Sequence, residues 1–280
     1  MTKLTAFHLL DTGGCMTRAG LILGGESLRE RIRLPSLVAL LRHPERGWIL
    51  WDTGYAPRMI EATRRFPFRA YRWATPLRLS PGQEAVARVR ALGIAPEEIR
   101  YIILSHFHAD HMAGLRDFPG ARIIAPRAGY DAVRGLDGIA ALSRAYIPAL
   151  LPDDFAERSD LVDAPSGAEV AALGPTHDVF GDGALRLVAL PGHARGQWGM
   201  LAEAPDGPIL LAADGCWHTR AVTERRPPHR LLDFLPDSPA ATLDTLHRLA
   251  DFHEAHPEVR LIPSHCPQAA AREGATERPA

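Results

Sequence analysis

The stretch Leu104-Ser105-His106-Phe107-His108-Ala109-Asp110-His111-Met112-Ala113-Gly114 places four metal-capable side chains within six residues. It follows directly on the run Tyr101-Ile102-Ile103-Leu104, whose β-branched and aromatic content reads as a buried strand. A strand ending near Ser105 leaves His106, His108, Asp110 and His111 on the loop beyond it. Alternation across His106 and His108 aims both imidazoles the same way. A turn at Ala109-Asp110 then aims Asp110 and His111 at a neighbouring point. A lone histidine is ordinarily a surface or satisfied core residue. Three imidazoles and a carboxylate in one apolar-flanked turn are different, because burying them without a cation is costly. Two groups of donors so close together predict two metals.

Composition sets the outer bounds. The chain has 280 residues, 46% hydrophobic and 23% charged, as expected of an ordinary globular protein with a sizeable core. A formal net charge of -1 gives no electrostatic reason to expect nucleic acid or an anionic membrane as partner. The start lacks a signal-peptide h-region, and no apolar run is long enough to span a bilayer. Cys15, Cys216 and Cys266 are too widely spaced for a disulfide framework or a zinc knuckle. These features together predict a cytoplasmic protein.

Working outward, Lys3 to Leu10 reads as an opening strand and Asp11-Thr12-Gly13-Gly14-Cys15-Met16 as a loop. Leu34 to Leu41 and Gly47 to Asp52 read as two strands joined by a turn. Asp52 ends the second; it is either a turn former or a hydrogen-bonding support that orients the metal loop. Residues 55–80 read as an insertion that alternates Arg58, Arg64, Arg65, Arg69, Arg72 and Arg78 with Phe66, Phe68, Tyr71 and Trp73. That pattern suits a solvated helical face, with a lid or a homodimer contact as the sharper alternative. Ser80-Pro81-Gly82-Gln83 has the form of a capping box, predicting a helix from Pro81 to Leu92. Residues 126–165 hold a predicted helix from Leu136 to Ala145 and read as an insertion walling one side of a pocket. Further strands are predicted at 170–173, 185–190, 200–202, 208–213 and 259–264, with a helix from Ser238-Pro239 to about Ala255. The strand-rich halves suggest two facing sheets in one domain, 1–268, followed by a flexible tail, 269–280.

Strands in this reading deliver His193, Asp214 and His265 as well as the histidine loop, and strand ends are rigid platforms for a metal site. The full set resembles the metallo-β-lactamase superfamily over nearly the whole chain. That resemblance implies an αββα sandwich of two mixed sheets flanked by helices, with the site at one edge. It further implies that His106, His108 and His193 bind one metal, that Asp110, His111 and His265 bind a second, and that Asp214 bridges them. Such donors suit zinc, with manganese, iron or cobalt as alternatives. A water between two cations loses a proton at neutral pH and becomes a nucleophile, while one metal polarises the substrate oxygen. Asp110 is then placed to handle a proton as the tetrahedral intermediate collapses.

Within the superfamily, Gly14-Cys15-Met16, Ile49-Leu50-Trp51-Asp52-Thr53-Gly54 and the order of site elements resemble the acyl-homoserine-lactone lactonases. Those enzymes carry Tyr three residues after the bridging Asp and tend to have Asp after the last His. Here the positions are Trp217 and Cys266. Trp217 predicts a large apolar face and one fixed donor near the metals. Arg195 and His218 are further candidate substrate contacts, and the basic loop Arg220, Arg225, Arg226, His229, Arg230 is read as solvated or as facing an anionic substrate. Cys216 and Cys266 read as small buried residues. The expected function is a hydrolase of a small ester or lactone, using a metal-bridging hydroxide. The alternatives are a glyoxalase-II-like thioesterase and a non-catalytic, metal-stabilised ligand-binding protein.

Overall fold

Period-two alternation decides which way each strand faces. Leu37, Ala39 and Leu41 enter one apolar cluster, while Val38 and Leu40 between them enter another. In the computed structural model, which describes residues 2–275, this alternation resolves into two sheets. The first has seven strands: β1 (Ala6–Arg18), β2 (Arg31–His43), β3 (Gly47–Trp51), β4 (Leu77–Arg78), β5 (Ile99–Ile103), β6 (Arg122–Pro126) and β7 (Ser159–Val162), in the order β4-β1-β2-β3-β5-β6-β7. The second has six: β8 (Glu169–Val170), β9 (Gly174–Asp178), β10 (Leu185–Ala189), β11 (Trp198–Ala204), β12 (Gly207–Ala213) and β13 (Arg260–Pro263), in the order β13-β12-β11-β10-β9-β8. Both are mixed. β3, β5, β6 and β7 run parallel, as do β12 and β13, and the other pairs are antiparallel.

The central core lies between the sheets. Leu41, Ile49, Trp51 and Ile103 from the first meet Leu187, Trp198, Met200 and Leu211 from the second. The outer face of the first sheet carries Leu40, Leu50 and Ile102 against Met59, Val89, Met112 and Phe118. The outer face of the second carries Val188, Leu210 and Leu261 against Leu246, Leu249 and Phe252 of the helix Pro239–Ala255. Both sheets therefore bury both faces, which is why their strands read as nearly continuous apolar runs. This is the αββα sandwich.

Several element boundaries differ from the sequence reading, each for a local reason. The expected loop at 11–16 is strand: β1 continues to Arg18 through a bulge between Asp11 and Gly14. Gly13 supplies φ +109, and a Cβ on Gly14 would lie 2.2 Å from the Leu34 carbonyl oxygen, so β2 can approach only a glycine here. The helix expected from Pro81 begins at Ala85 instead. Gly82 at φ +77 makes 80–83 a turn, although Gln83 Oε1 still accepts from the Ser80 N–H at 3.0 Å. The helix expected at 136–145 shrinks to Gly138–Leu142, entered through Gly138 at φ +57. The strand expected at 170–173 stops at Val170, because Ala172 is left-handed at φ +63. By contrast, Pro239–Ala255 is helical as expected, with Ser238 Oγ accepting from the Ala241 N–H.

The two segments read as insertions do not behave alike. Residues 126–165 supply β7 to the first sheet as well as helices. Residues 55–80 form two short helices, Arg58–Ala62 and Arg69–Ala74, and β4. Phe66 and Trp73 are exposed while Tyr71 is buried, so this stretch is not one solvated face. The tail expected to be flexible from 269 begins within a helix, Pro267–Arg272, whose Ala269 and Ala270 join the central core. Residues 276–280 of that tail lie outside the described residues. Among the described residues, no helix is long and apolar enough to cross a membrane.

Candidate metal centre

Four strand ends converge at one edge of the sandwich. β5 delivers the loop with His106 and His108, which leads into the short helix Ala109–Met112 carrying Asp110 and His111. β10, β12 and β13 are followed by His193, Asp214 and His265. Donor atoms of His106, His108 and His193 lie within 4.8 Å of one another, as do those of Asp110, His111 and His265, and those of His106, His111 and Asp214. The first two clusters are the two sets expected from the sequence, brought together from distant segments. Asp214 lies between them: Oδ2 is 3.2 Å from His193 Nε2, and Oδ1 is 3.3 Å from His111 Nε2 and 3.2 Å from His265 Nε2.

The imidazoles are held from behind. Asp52, at the end of β3, accepts from the Ser105 N–H at 2.7 Å, from Ser105 Oγ at 2.8 Å and from His111 Nδ1 at 2.8 Å. With its proton given to Asp52, Ser105 Oγ accepts from His106 Nδ1 at 3.0 Å. His265 Nδ1 donates to the Pro35 carbonyl at 2.7 Å. Each bond fixes a tautomer in which Nε2 is left as a lone pair turned to the centre. Asp52 at φ +60 and Ala213 at φ +46 are non-glycine residues in the left-handed region, a strain that the surrounding strands hold in place beside the site.

The side chains present fit divalent cations. Buried polar atoms normally find a partner, yet His106 Nε2, His111 Nε2 and Asp214 Oδ1 are buried without a hydrogen-bond partner among the described residues. All three belong to the clusters. Burial first, and then neighbouring imidazoles, pulls His106 well below its ordinary value, and burial also lowers His108 and His193. Neutral imidazole is the form that ligates. Burial pulls on His111 and His265 too, but nearby carboxylates, Asp214 foremost, outweigh it and raise both. Burial likewise opposes ionisation of Asp214, and His265, His111 and His193 overcome it, holding the carboxyl well below its usual range. A cluster balanced by protons in this way is one whose charges cations can replace.

The other sequence candidates separate. The Trp217 ring stands 5.6 Å from the His193 ring, on the wall of a cavity of about 360 Å³ that also touches Asp214, Cys216, Leu232 and Leu243. Its Nε1 donates to Asp214 Oδ2 at 2.9 Å, so the fixed donor expected to meet substrate is already engaged and only the ring is offered. Arg195 lies on the rim of a second cavity, of about 340 Å³, shared with His108 and His193; its side chain is 67% exposed and 4.0 Å from Asp237. His218, the other candidate substrate contact, is buried, and its Nδ1 accepts from the Arg220 N–H to cap a short helix. In the basic loop, Arg220 and Arg226 pair with Glu26 and Glu224, and Arg225 pairs with Asp251 and Glu254. Arg220, Arg225 and Arg226 are thus paired within the protein, whereas Arg230 lines the cavity beside Trp217. Cys266 Sγ accepts from the Thr219 and Ala269 N–H groups, and burial pushes the Cys216 thiol well up; neither joins a donor cluster. Sequence reasoning missed Tyr71, whose hydroxyl lies 3.3 Å from Asp110 Oδ1. Only its being a lone tyrosine among arginines could have marked it.

Residues 31–255 match the metallo-beta-lactamase superfamily, and the chain belongs to it. Its named relatives narrow the class. The N-acyl homoserine lactonase AttM of Rhizobium radiobacter is 30% identical over 203 residues, covering 68% of this chain and 67% of the relative. AttM of Azorhizobium caulinodans is 33% identical over 172 residues, covering 58% and 55%. In three dimensions, an N-acyl homoserine lactone hydrolase solved with the product N-hexanoyl-L-homoserine at its catalytic metal centre shares the fold at TM-score 0.74 and 19% identity, covering 97% of this chain and 96% of its own. The dizinc quorum-quenching lactonase AidC aligns at TM-score 0.61 and 16% identity, covering 95% and 90%. The protein is an enzyme of the metal-dependent hydrolase class.

Proposed function

We propose that the protein is a dinuclear hydrolase, most simply a dizinc one, that opens a lactone or small ester bearing a bulky apolar group. The observation that carries this reading is the pair of donor clusters meeting at Asp214, with His106 Nε2, His111 Nε2 and Asp214 Oδ1 buried and lacking a hydrogen-bond partner among the described residues. His106, His108 and His193 would hold one cation, Asp110, His111 and His265 the other, and Asp214 both. When bound, the two cations would supply a water deprotonated at neutral pH and polarise the scissile carbonyl.

The chain's own residues do the rest. Asp52, Ser105 and Pro35 hold the imidazoles in their ligating tautomers. Asp110, half-buried at the end of the cluster, takes up a proton on its carboxylate and returns it to the leaving alkoxide. Trp217 presents its ring face to the apolar cavity, excluding water beside Asp214 and receiving the hydrophobic part of the substrate. Similarity to named lactonases favours a lactone over a thioester. Residues 1–268 act as one unit in this reading, and three free cysteines suit a reducing compartment such as the cytoplasm.

Elemental analysis of protein purified without chelator is expected to give about two metals per chain. A turnover screen of the metal-loaded protein against lactones, thioesters and phosphodiesters is expected to favour lactones. A stoichiometry well below one that added zinc or manganese does not restore would overturn the reading.

Trp217 makes a separate expectation. Trp217→Ala is expected to raise KM for bulky apolar substrates by about 10-fold, the loss of one good apolar contact, and to weaken metal binding as well, because the indole N–H that donates to Asp214 Oδ2 is lost. Trp217→Tyr is expected to improve turnover of acyl-homoserine lactones. Efficient wild-type hydrolysis of short-chain homoserine lactones, unchanged by either substitution, would count against this role.

A further inference from the structure

The segment 55–80, so rich in arginine, contributes a buried phenol that reaches the metal cluster. In the helix Arg69–Ala74 the buried residue is Tyr71, at 8% exposure, while Arg69, Arg72 and Trp73 face solvent. Packing alone would be served by phenylalanine. A buried phenol must place its O–H on an acceptor or lose the hydrogen bond it made to water. Here the acceptor is Asp110 Oδ1, at 3.3 Å. Tyr55, 2% exposed, is buried in the same apolar cluster. A phenol is protonated at neutral pH, so the Tyr71 hydroxyl serves as the donor to Asp110 Oδ1.

Asp110 needs such a hold. Its backbone is anchored, since Ser36 Oγ of β2 donates to its carbonyl at 3.1 Å. That contact leaves the carboxylate free to rotate. Its Oδ2 faces His265 Nε2 at 3.5 Å, within the second donor cluster, and its Oδ1 faces away from it toward Tyr71. Asp214 has a comparable hold, with Trp217 Nε1 on Oδ2. Each of the two carboxylates of the centre is thus fixed by one aromatic donor. One donor lies three residues along the chain, and the other arrives from a segment 39 residues away.

We propose that Tyr71 is a positioning residue for Asp110, its phenol O–H holding Oδ1 so that Oδ2 stays turned toward His265 and the second cation. The proposal rests on the dinuclear reading above. It predicts a selective defect, because the hydrogen bond from Tyr71 goes to Asp110, a member of the second donor cluster. Outer partners of metal ligands typically contribute about 10- to 100-fold in affinity.

The test is a Zn2+ titration of metal-stripped protein against a competing chelator, for wild type, Tyr71→Phe, Asp110→Asn and the double variant. Tyr71→Phe is expected to bind the first equivalent as wild type does and the second about 10-fold or more weakly. On the loaded enzyme, kcat is expected to fall with KM little changed. In the Asp110→Asn background, Tyr71→Phe is expected to add nothing further, since the group it holds no longer ligates. Unchanged affinity for the second equivalent in Tyr71→Phe would overturn the proposal. So would an equal loss with and without Asp110, including a loss caused by a disturbed fold, which would weaken both equivalents in both backgrounds. Wild-type protein that binds no second Zn2+ would instead overturn the dinuclear reading on which the proposal stands.

Discussion

Asp214→Ala is expected to remove at least one of two bound metals and to lower turnover by roughly 1000-fold, the scale on which removing a group that organises charge at the reacting centre is felt. Asp214 meets three imidazoles of the centre, with His111, His193 and His265 all within 3.3 Å of its oxygens. Removing it would leave those rings without the carboxylate that balances their charge, and the two cations proposed for the centre without the group that would hold both. The contrast that makes the test specific is with the neighbouring thiols. Cys216→Ala and Cys266→Ala are expected to retain both metals, because Cys266 Sγ is occupied by backbone N–H groups and Cys216 packs against the apolar cluster behind β12. Loss of metal from Cys266→Ala as complete as that from His265→Ala would show the ligand assignment to be wrong. Elemental analysis of the four variants decides it.

Asp52→Ala is expected to act from outside the cluster and to affect stability and metal binding together. The carboxylate is 1% exposed and accepts three hydrogen bonds, two from Ser105 and one from His111 Nδ1. Alanine leaves a buried backbone N–H and a buried imidazole nitrogen without their acceptor. Removing one partner of such a buried pair costs about 3–5 kcal/mol. The left-handed backbone at φ +60 adds to the cost, since alanine tolerates it less well than aspartate. Metal affinity at the His111 side is expected to fall by about 10- to 100-fold. Asp52→Asn offers the informative comparison: it keeps the shape and the backbone tolerance but replaces the charge. Denaturant unfolding of the metal-free proteins, beside chelator competition on the loaded ones, separates the two effects. A stability loss in Asp52→Ala below about 1 kcal/mol would mean that water replaces the carboxylate.

The apolar runs and their endings were legible because local chemistry forces them. A run such as Tyr101 to Leu104 is too apolar to leave a buried sheet, and three imidazoles with a carboxylate beyond it have little reason to share one turn except a cation. The same logic, with the resemblance to a known family, reached His193, Asp214 and His265 as ends of strands before any contact among them was visible. Where the reading slipped on element ends the cause was mostly local backbone geometry, and where it slipped on contacts the deciding interaction was long-range. Gly82 and Gly138 turn the chain where a helical pattern begins, and the close approach of the Leu34 carbonyl to Gly14 turns an expected loop into a bulged strand. Arg220, Arg225 and Arg226 read as a basic face until Glu26, Asp251 and Glu254, all distant from them along the chain or on another element, arrive to neutralise them. Tyr71 carries no local signature, since a tyrosine between arginines looks the same whether its hydroxyl meets water or Asp110. Which donor atoms exist is a property of residue type and so is written in the chain itself. Which atom each donor finally meets depends on a match of distance and direction across 39 residues for Tyr71 and 53 for Ser105, and only packing of the sheets sets that.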